Sequence, residues 1–264
     1  MPDVLSGVEM GHAQDLVWIS TALDEALAAL EEFTPGAIES TLKSGGDPLT
    51  EADLAVDRVL RTILPAEDEG WLSEETIDSL DRLSRRRVWI VDPIDGTREF
   101  IDGIPEWCVS IGLIEDGQPV AGGIHNPATG ERVMGAVGCG VEYAGPHGAL
   151  GASTLVEARV GASRSEVMRG EWDGYGASGF AIVPMGSVAY KLALVASGRL
   201  DATWTRSPKN EWDIAGGAAL LAASGGWAAL IDGSTPTWNN RDTLVPGFIA
   251  TTPSLRDEVS ALLL

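Results

Sequence analysis

The hydrophobic period of the chain changes twice, and that succession restricts the fold more than any single residue does. Residues 14–33 carry Val17, Trp18, Ala22, Leu23, Ala26, Leu27 and Leu30 at helical spacing, with Asp24, Glu25, Glu31 and Glu32 between them, which predicts an amphipathic helix. After Pro35-Gly36 the pattern returns over residues 50–64 through Val56, Val59, Leu60 and Ile63, until Pro65 stops it. Residues 73–85 read as a third, shorter helix. From Val88 the period shortens: residues 88–91, 108–114, 119–125 and 132–137 are short apolar or alternating runs split by turn signals such as Asp116-Gly117, the pattern of a strand meander. Beyond about Gly161 helix and strand alternate, with strands expected at 181–184 and 200–204 and helices at 187–197 and 212–224. Helices, then a meander, then alternation imply sheets layered with helices. No repeat or low-complexity linker divides the chain, although residues 145–151 form a weak seam. Two closely packed subdomains are expected, residues 1–150 and 151–264, with a site where they meet.

Composition limits the partners. The chain of 264 residues has 18 Lys plus Arg against 39 Asp plus Glu, a formal net charge of -21, which repels nucleic acid polymers and anionic membranes at a distance. With 44% hydrophobic and 22% charged residues it reads as a globular protein rather than a disordered acidic tail. The first basic residue is Lys43, so the N-terminus lacks the positive region of a signal peptide, and the apolar stretch at residues 216–231 is too broken to span a bilayer; a cytoplasmic location is expected. Cys108 and Cys139 make no metal-binding pair and are expected to be reduced. A salt-adapted surface is the simplest account of most of the acidity. His12, His125 and His147 share no ligand spacing, and the run Arg85-Arg86-Arg87 reads as a solvated helix end. Most of the nine tryptophans read as core, with Trp204 or Trp238 as candidates for touching a nucleobase.

The most informative segment is Val88-Trp89-Ile90-Val91-Asp92-Pro93-Ile94-Asp95-Gly96-Thr97. An apolar strand delivers Asp92, Pro93 interrupts the ladder, and Asp95-Gly96 turns the chain. Two carboxylates three residues apart on a rigid turn, joined by the Ile94 carbonyl, make an all-oxygen cluster suited to Mg²⁺ rather than zinc. Thr97 stands where a helix N-terminus can receive a phosphate. The same residues also fit an ordinary strand-to-helix turn with an Asp cap. Each further acid has its bland reading too: Thr50-x-x-Asp53 has capping-box spacing, Glu74-Glu75 suits a helix start, and Asp213 suits a helix cap.

Taken together, Leu49-Thr50-x-x-Asp53, Ser73-Glu74-Glu75, Asp92-Pro93-Ile94-Asp95-Gly96-Thr97 and Trp212-Asp213-x-Ala215-Gly216 resemble the inositol monophosphatase superfamily of magnesium-dependent, lithium-sensitive phosphomonoesterases, over about residues 15 to 250. The resemblance implies an α/β (α+β) fold, a layered αβαβα sandwich of the inositol monophosphatase and fructose-1,6-bisphosphatase type. It also implies Mg²⁺ as cofactor, two or three ions with Mn²⁺ able to substitute, held by Glu74, Asp92, the Ile94 carbonyl, Asp95 and Asp213. It casts Asp53, Thr97 and Glu74 as catalytic, and places Asp95, Gly96 and Thr97 against the phosphate.

The same superfamily includes inositol, histidinol, fructose and bisphosphate-nucleotide phosphatases. Gly186-Ser187-Val188-Ala189-Tyr190-Lys191, with Lys191 ahead of a Leu-Val-Ala stretch, resembles the bacterial 3'(2'),5'-bisphosphate nucleotidase branch. Arg206 falls about where inositol monophosphatases carry a glutamate. Ser187, Lys191 and Arg206 are therefore the expected substrate-binding residues, with a second phosphate for the arginine; alternatively, Lys191 lies along a helix as a surface residue and Arg206 pairs with Glu211. Residues 43–47 resemble the family's loop that closes near the metals, and equally fit a plain surface loop. The expected partner is a small phosphorylated metabolite, most specifically adenosine 3',5'-bisphosphate, with an inositol, sugar or polyol phosphate as the alternative. Homodimers are common in the superfamily. A third reading, a metal- and phosphate-binding sensor without turnover, sits poorly with retention of every carboxylate together with Asp53 and Thr97.

Overall fold

A computed structural model describes residues 9–43, 46–146 and 151–264. Ser44, Gly45, His147 and most of the seam at 145–151 lie outside the described residues. The chain opens with α1 (Glu9–Leu30), the short hairpin of β1 (Ser40–Leu42) and β2 (Pro48–Thr50), and α2 (Glu51–Ile63). There follow β3 (Gly70–Ser73), β4 (Arg87–Asp95), α3 (Thr97–Asp102), β5 (Cys108–Glu115), β6 (Gln118–Asn126), β7 (Glu131–Ala136) and β8 (Gly140–Ala144). The remainder is β9 (Arg159–Ser163), α4 (Arg164–Met168), β10 (Ala181–Met185), α5 (Val188–Ala196), β11 (Ala202–Thr205), β12 (Lys209–Asn210), α6 (Glu211–Ser224), β13 (Trp227–Leu230), β14 (Leu244–Val245), β15 (Phe248–Thr251) and α7 (Arg256–Leu263).

Strands β3 to β8 form a six-stranded sheet in sequence order, parallel only between β3 and β4. A second sheet has the order β10-β9-β11-β15-β13. Three buried clusters show the layering. Ile19, Leu23, Val56 and Leu60 of α1 and α2 pack on Trp89, Val91 and Ile111 of the first sheet. Its other face, with Val88 and Ile90, meets Leu192, Ile214 and Leu221 of α5 and α6, which also cover Phe248 and Ala250 of the second sheet. Val259 and Leu263 of α7 lie with Val160, Trp204 and Ile249 on the outer face. The order helix, sheet, helix, sheet, helix is the expected αβαβα sandwich, and β4, buried on both faces, explains its continuous apolar run.

Close approach of α6 to the first sheet depends on glycine. A Cβ on Gly122 would lie 2.6 Å from the Gly216 carbonyl oxygen, and one on Gly112 would lie 2.7 Å from the carbonyl carbon of Ala215. The helix backbone therefore rests directly on β5 and β6 and brings Asp213 down beside the end of β4.

Some sequence expectations fail. Residues 73–85 form no α-helix: β3 ends at Ser73, and only a single 3₁₀ turn, Asp81–Ser84, follows. The segment is held instead by side chains, since Asp57 accepts hydrogen bonds from Ser73 Oγ and Thr76 Oγ1, and buried Arg82 donates to Asp78 and Asn239. The arginine run is a solvated helix end only in part, with exposed Arg85 as C-cap of that 3₁₀ turn and Arg86 exposed beside it. Arg87 begins β4 and bridges Asp15, Glu69 and Glu115, while Arg86 pairs with Glu115. No helix among the described residues is long and apolar enough to cross a membrane. Cys108 is buried, Cys139 is exposed, and both are free.

Candidate active site

The end of β4 builds the centre of the site. Its pairing with β5 runs regularly to Asp92, opposite Ser110, then shifts before Asp95, opposite Cys108. Pro93 has no N–H for the ladder, so the strand bulges there and both aspartates are carried to one end of the sheet. Gly96, at φ 97°, then turns the chain into α3; a Cβ there would lie 3.0 Å from the Glu106 carbonyl oxygen, so both the dihedral and the space require glycine.

Asp92, Asp95 and Asp213 each offer a carboxylate oxygen within 4.8 Å of the others. Each is also held by one oxygen. Asp92 Oδ1 accepts from the Ile94 N–H at 3.1 Å, and Asp213 Oδ2 from the Asn210 N–H at 2.9 Å, closing the capping box of α6. Asp95 Oδ2 accepts from Ser187 Oγ at 2.6 Å and from the Ala189 N–H at 2.5 Å, at the N-terminus of α5. The second oxygen of each has no donor among the described residues. Burial pushes all three carboxyls up; at Asp92 and Asp213 the neighbouring carboxylates add to it, while at Asp95 the hydrogen bonds of Ser187 and Ala189 and the charges of Lys191 and Lys209 oppose it. Asp92 stands well above the usual range, and Asp213 is pushed up to about 8, by burial first and then by Asp95. An all-oxygen set this crowded and this hard to ionise fits a divalent cation such as Mg²⁺, and among the described residues no cationic side chain forms an ion pair with it.

Glu74 lines the same cavity, yet its Oε1 is bonded to Lys43 Nζ at 2.6 Å, and the same ammonium meets Glu75 Oε1 at 2.6 Å. Burial raises Glu74 against the pull of Lys43, and Glu75 is raised to about 7. The two glutamates hold Lys43 charged, outweighing burial. So Glu74 is brought to the site with one oxygen on an internal cation, while its charge is felt at Asp92 and Asp213. Neither glutamate begins a helix.

Behind the cluster, Thr97 Oγ1 lies 3.1 Å from Asp53 Oδ1 and 3.0 Å from the Ile94 carbonyl oxygen. Asp53 Oδ2 accepts from the Thr50 N–H at 2.8 Å and from Thr50 Oγ1 at 2.6 Å. The capping-box reading of Thr50 and Asp53 is thus realised, and the same carboxylate also reaches Thr97; cap and site coexist in one side chain. Burial raises Asp53, opposed by the hydrogen bonds of Thr50 and Thr97.

These groups open on a cavity of about 560 Å³ drawn from residues 47–104 and 163–213. Gly96, Thr97, Ser187 and Lys191 are among its lining residues. Ser187 adopts φ 49°, a left-handed conformation costly for a residue with a Cβ, and its hydroxyl both donates to Asp95 and caps α5 by accepting from the Tyr190 N–H at 3.0 Å. Lys191 is buried, not a surface residue, and its ammonium donates to the carbonyls of Gly186 at 3.0 Å and Ser187 at 2.7 Å; burial pushes it down to about 8.

Arg206 departs from expectation. It is exposed and lies outside the cavity lining, because Thr205 turns inward to Glu166 and accepts from the Ser207 N–H, which leaves the intervening side chain pointing outward. It does not pair with Glu211 either, whose carboxylate is taken by the Asn239 and Asn240 backbone and the Asn240 amide. The basic residues of the lining are Arg98, Arg164, Lys191 and Lys209. Arg164 and Lys209 were missed; the signal for Lys209 was its place immediately before the α6 N-cap, four residues ahead of Asp213. Trp204 and Trp238 are both buried, Trp204 stacked on Trp172 at 4.9 Å, so neither presents a face to a base. His125 is buried, takes a hydrogen bond from Arg132 and is pushed down to about 4, chiefly by burial.

A sequence profile described as the inositol monophosphatase family matches residues 13–262. An inositol-1-monophosphatase of Mesorhizobium japonicum is 34% identical over 232 residues, covering 77% of this chain and 79% of that protein. A 3'(2'),5'-bisphosphate nucleotidase CysQ of Aggregatibacter actinomycetemcomitans is 32% identical over 249 residues, covering 89% and 91%. The solved Thermotoga maritima IMPase superposes with a TM-score of 0.79 at 26% identity, over 95% of this chain and 96% of that one. Fold and likeness together define a phosphoric monoester hydrolase of the layered α/β type. The chain belongs to the inositol monophosphatase family. Enzymes of this family act on small phosphorylated substrates and are generally magnesium-dependent.

Proposed function

We propose that the chain hydrolyses a small phosphate monoester by attack of water, with Asp92, Asp95 and Asp213 as the cation-binding centre and Thr97 with Asp53 as the proton-handling pair. The observation that carries this reading is the meeting of three crowded carboxylates and the Thr97–Asp53 hydrogen bond at one end of one cavity. Glu74 and the Ile94 carbonyl complete the residues that would hold Mg²⁺. Bound there, the ion supplies charge to the phosphate oxygens and acidity to water.

The chain's own groups do the rest. With Asp53 Oδ2 occupied by Thr50, its Oδ1 is the oxygen left to receive the Thr97 hydroxyl proton. Thr97 Oγ1 then presents a lone pair to a water: the water proton passes to Thr97 as the Thr97 proton passes to Asp53, the water oxygen bonds to phosphorus, and the ester P–O bond breaks with its electron pair on the leaving oxygen. In this reading the Gly96 and Thr97 N–H groups, at the start of α3, donate to a phosphate oxygen. Ser187 keeps Asp95 oriented, and Lys191, bonded to two carbonyls, holds the strained turn on which Ser187 sits.

The finer reading is a 3'(2'),5'-bisphosphate nucleotidase acting on adenosine 3',5'-bisphosphate. It is supported by the nucleotidase relative, matched over nearly its whole length, and by Arg164, Lys191 and Lys209 lining the cavity. The second reading is hydrolysis of inositol 1-phosphate, favoured by the inositol-1-monophosphatase relative. Phosphate release with Mg²⁺ from adenosine 3',5'-bisphosphate, AMP, inositol 1-phosphate and histidinol phosphate, assayed side by side, decides between them. The nucleotidase reading expects the bisphosphate to have the highest kcat/KM; release from none of them with Mg²⁺ or Mn²⁺ would sink the phosphatase assignment of this site.

A further inference from the structure

The four cations lining the cavity differ in what already holds them. Arg98 is bonded to Asp47 at 3.2 Å, and Arg164 is paired with Glu106, which in turn accepts from the Gly186 N–H at 2.8 Å. The Lys191 ammonium is spent on two carbonyls. Among the described residues, the Lys209 ammonium has neither a hydrogen bond nor an ion pair, although the chain is strongly acidic overall. Its backbone is firmly placed. Lys209 pairs with Val245 between β12 and β14, and the next residue, Asn210, caps α6 through Asp213. The lysine therefore stands at a fixed place beside the carboxylate cluster, with its charge felt at Asp95, Asp213 and Lys191.

A cation kept half-buried at a cavity wall without a carboxylate is suited to an anion that arrives with the ligand. The three aspartates cannot be that anion's partner, since they take a cation and, through it, the phosphate to be cleaved. We propose that Lys209 receives a second, uncleaved phosphate of the substrate and so sets the preference of the enzyme for bisphosphorylated over monophosphorylated esters. Lys209 thereby takes the role that sequence position assigned to Arg206. Met168, on α4, is the one large apolar side chain of the cavity lining, among the described residues, that is well exposed, and it offers an apolar surface to the organic part of the ester. The inference rests on this cavity being the hydrolytic site.

The experiment compares the protein with its Lys209→Gln and Lys209→Arg variants on adenosine 3',5'-bisphosphate and adenosine 3'-monophosphate, which share the scissile phosphate and differ only in the second one. Lys209→Gln is expected to lower kcat/KM for the bisphosphate roughly 30-fold, mainly through KM, and that for the monophosphate by less than about threefold, with Lys209→Arg close to the parent protein. Equal losses on both substrates, or no loss on either, would overturn the inference. Binding of adenosine 3',5'-bisphosphate by calorimetry in Ca²⁺ gives a readout independent of turnover: affinity at least about tenfold weaker in Lys209→Gln supports the role, and equal affinity sinks it. Lys209→Met serves if the Gln variant fails to fold. If the parent protein releases phosphate from no ester, the phosphatase reading of the site fails; if it does so and Lys209→Gln does not discriminate, only the role of Lys209 fails.

Discussion

Asp92 sits on a buried strand, its Oδ1 on the Ile94 N–H, repelled by Asp95, Asp213 and Glu74. Exchanging it for a neutral isostere removes a proposed ligand and relieves that repulsion at once. Asp92→Asn is therefore expected to cut kcat by about a thousandfold or more while the melting temperature in EDTA holds or rises; activity near that of the parent would remove Asp92 from the cation-binding set. Thr97 and Asp53 share one hydrogen bond, through which they are proposed to act, so their losses should not add. Thr97→Ala and Asp53→Asn are each expected to cost about a hundredfold or more in kcat, and the double variant little more than the worse single one. Losses that multiply in the double variant would mean that the two act separately. At this scale the motifs were readable because Pro93, Gly96 and the paired aspartates impose backbone geometry as well as chemistry. Arg206 and Lys209 were not, because a shift of three residues along an irregular segment decides which side chain faces inward, and Thr205's bond to Glu166 is invisible to spacing.

Among elements, periodicity found those that bury one clear face. Helix α2 with its Thr50 cap, β4 to β7, α5 and α6 lie close to their expected bounds. The helix expected at 73–85 gives way to coil with one 3₁₀ turn, because Asp57 and Asn239 supply the side chains of Ser73, Thr76 and Arg82 with partners from other segments. The strands β8, β9, β13 and β15 were also unreadable: they are short, and β9 and β15 owe their apolar character to a sheet assembled from distant residues. The glycines that seat α6 are equally silent in sequence, although Gly112, Gly122 and Gly216 determine where Asp213 ends up. Gly122→Ala places a methyl against a helix backbone that cannot yield, and is expected to destabilise the protein by about 2 kcal/mol or more and to lower kcat with it. Denaturant unfolding checks this; an unchanged midpoint would mean that α6 can lift from the sheet freely.

For the whole molecule, the acidity of the sequence has one local consequence for folding. Without a divalent ion, Asp213 titrates near 8 in the folded chain, against an ordinary carboxyl value when unfolded. A raised folded value favours folding while the group is protonated, so the contribution is whole at low pH and lost as pH climbs through about 8. Asp92 acts in the same direction, and Lys191, pushed down to about 8, loses its own contribution as pH falls from the usual lysine range toward 8, a window above this one. In EDTA the melting temperature should therefore decline between about pH 5 and pH 8, and Mg²⁺ should raise it more at pH 8 than at pH 6. A flat EDTA profile, or equal Mg²⁺ effects at both values, would sever the link between the cluster and stability.

The net charge of -21 does not choose among cations, but in the proposed site the tethers on the three aspartates would. With one oxygen of each already engaged by an N–H or hydroxyl, the cluster acts as a gauge of fixed aperture. A large ion that collects six to eight oxygens, often two from one carboxylate, finds no second oxygen to recruit, whereas a small octahedral ion content with single oxygens and water fits without loosening α5 or α6. If the cluster is the proposed cation site, the hydrogen bonds that fix the side chains also act as a sieve, and Ca²⁺ is expected to sit there as a poor substitute that holds phosphate without helping it react.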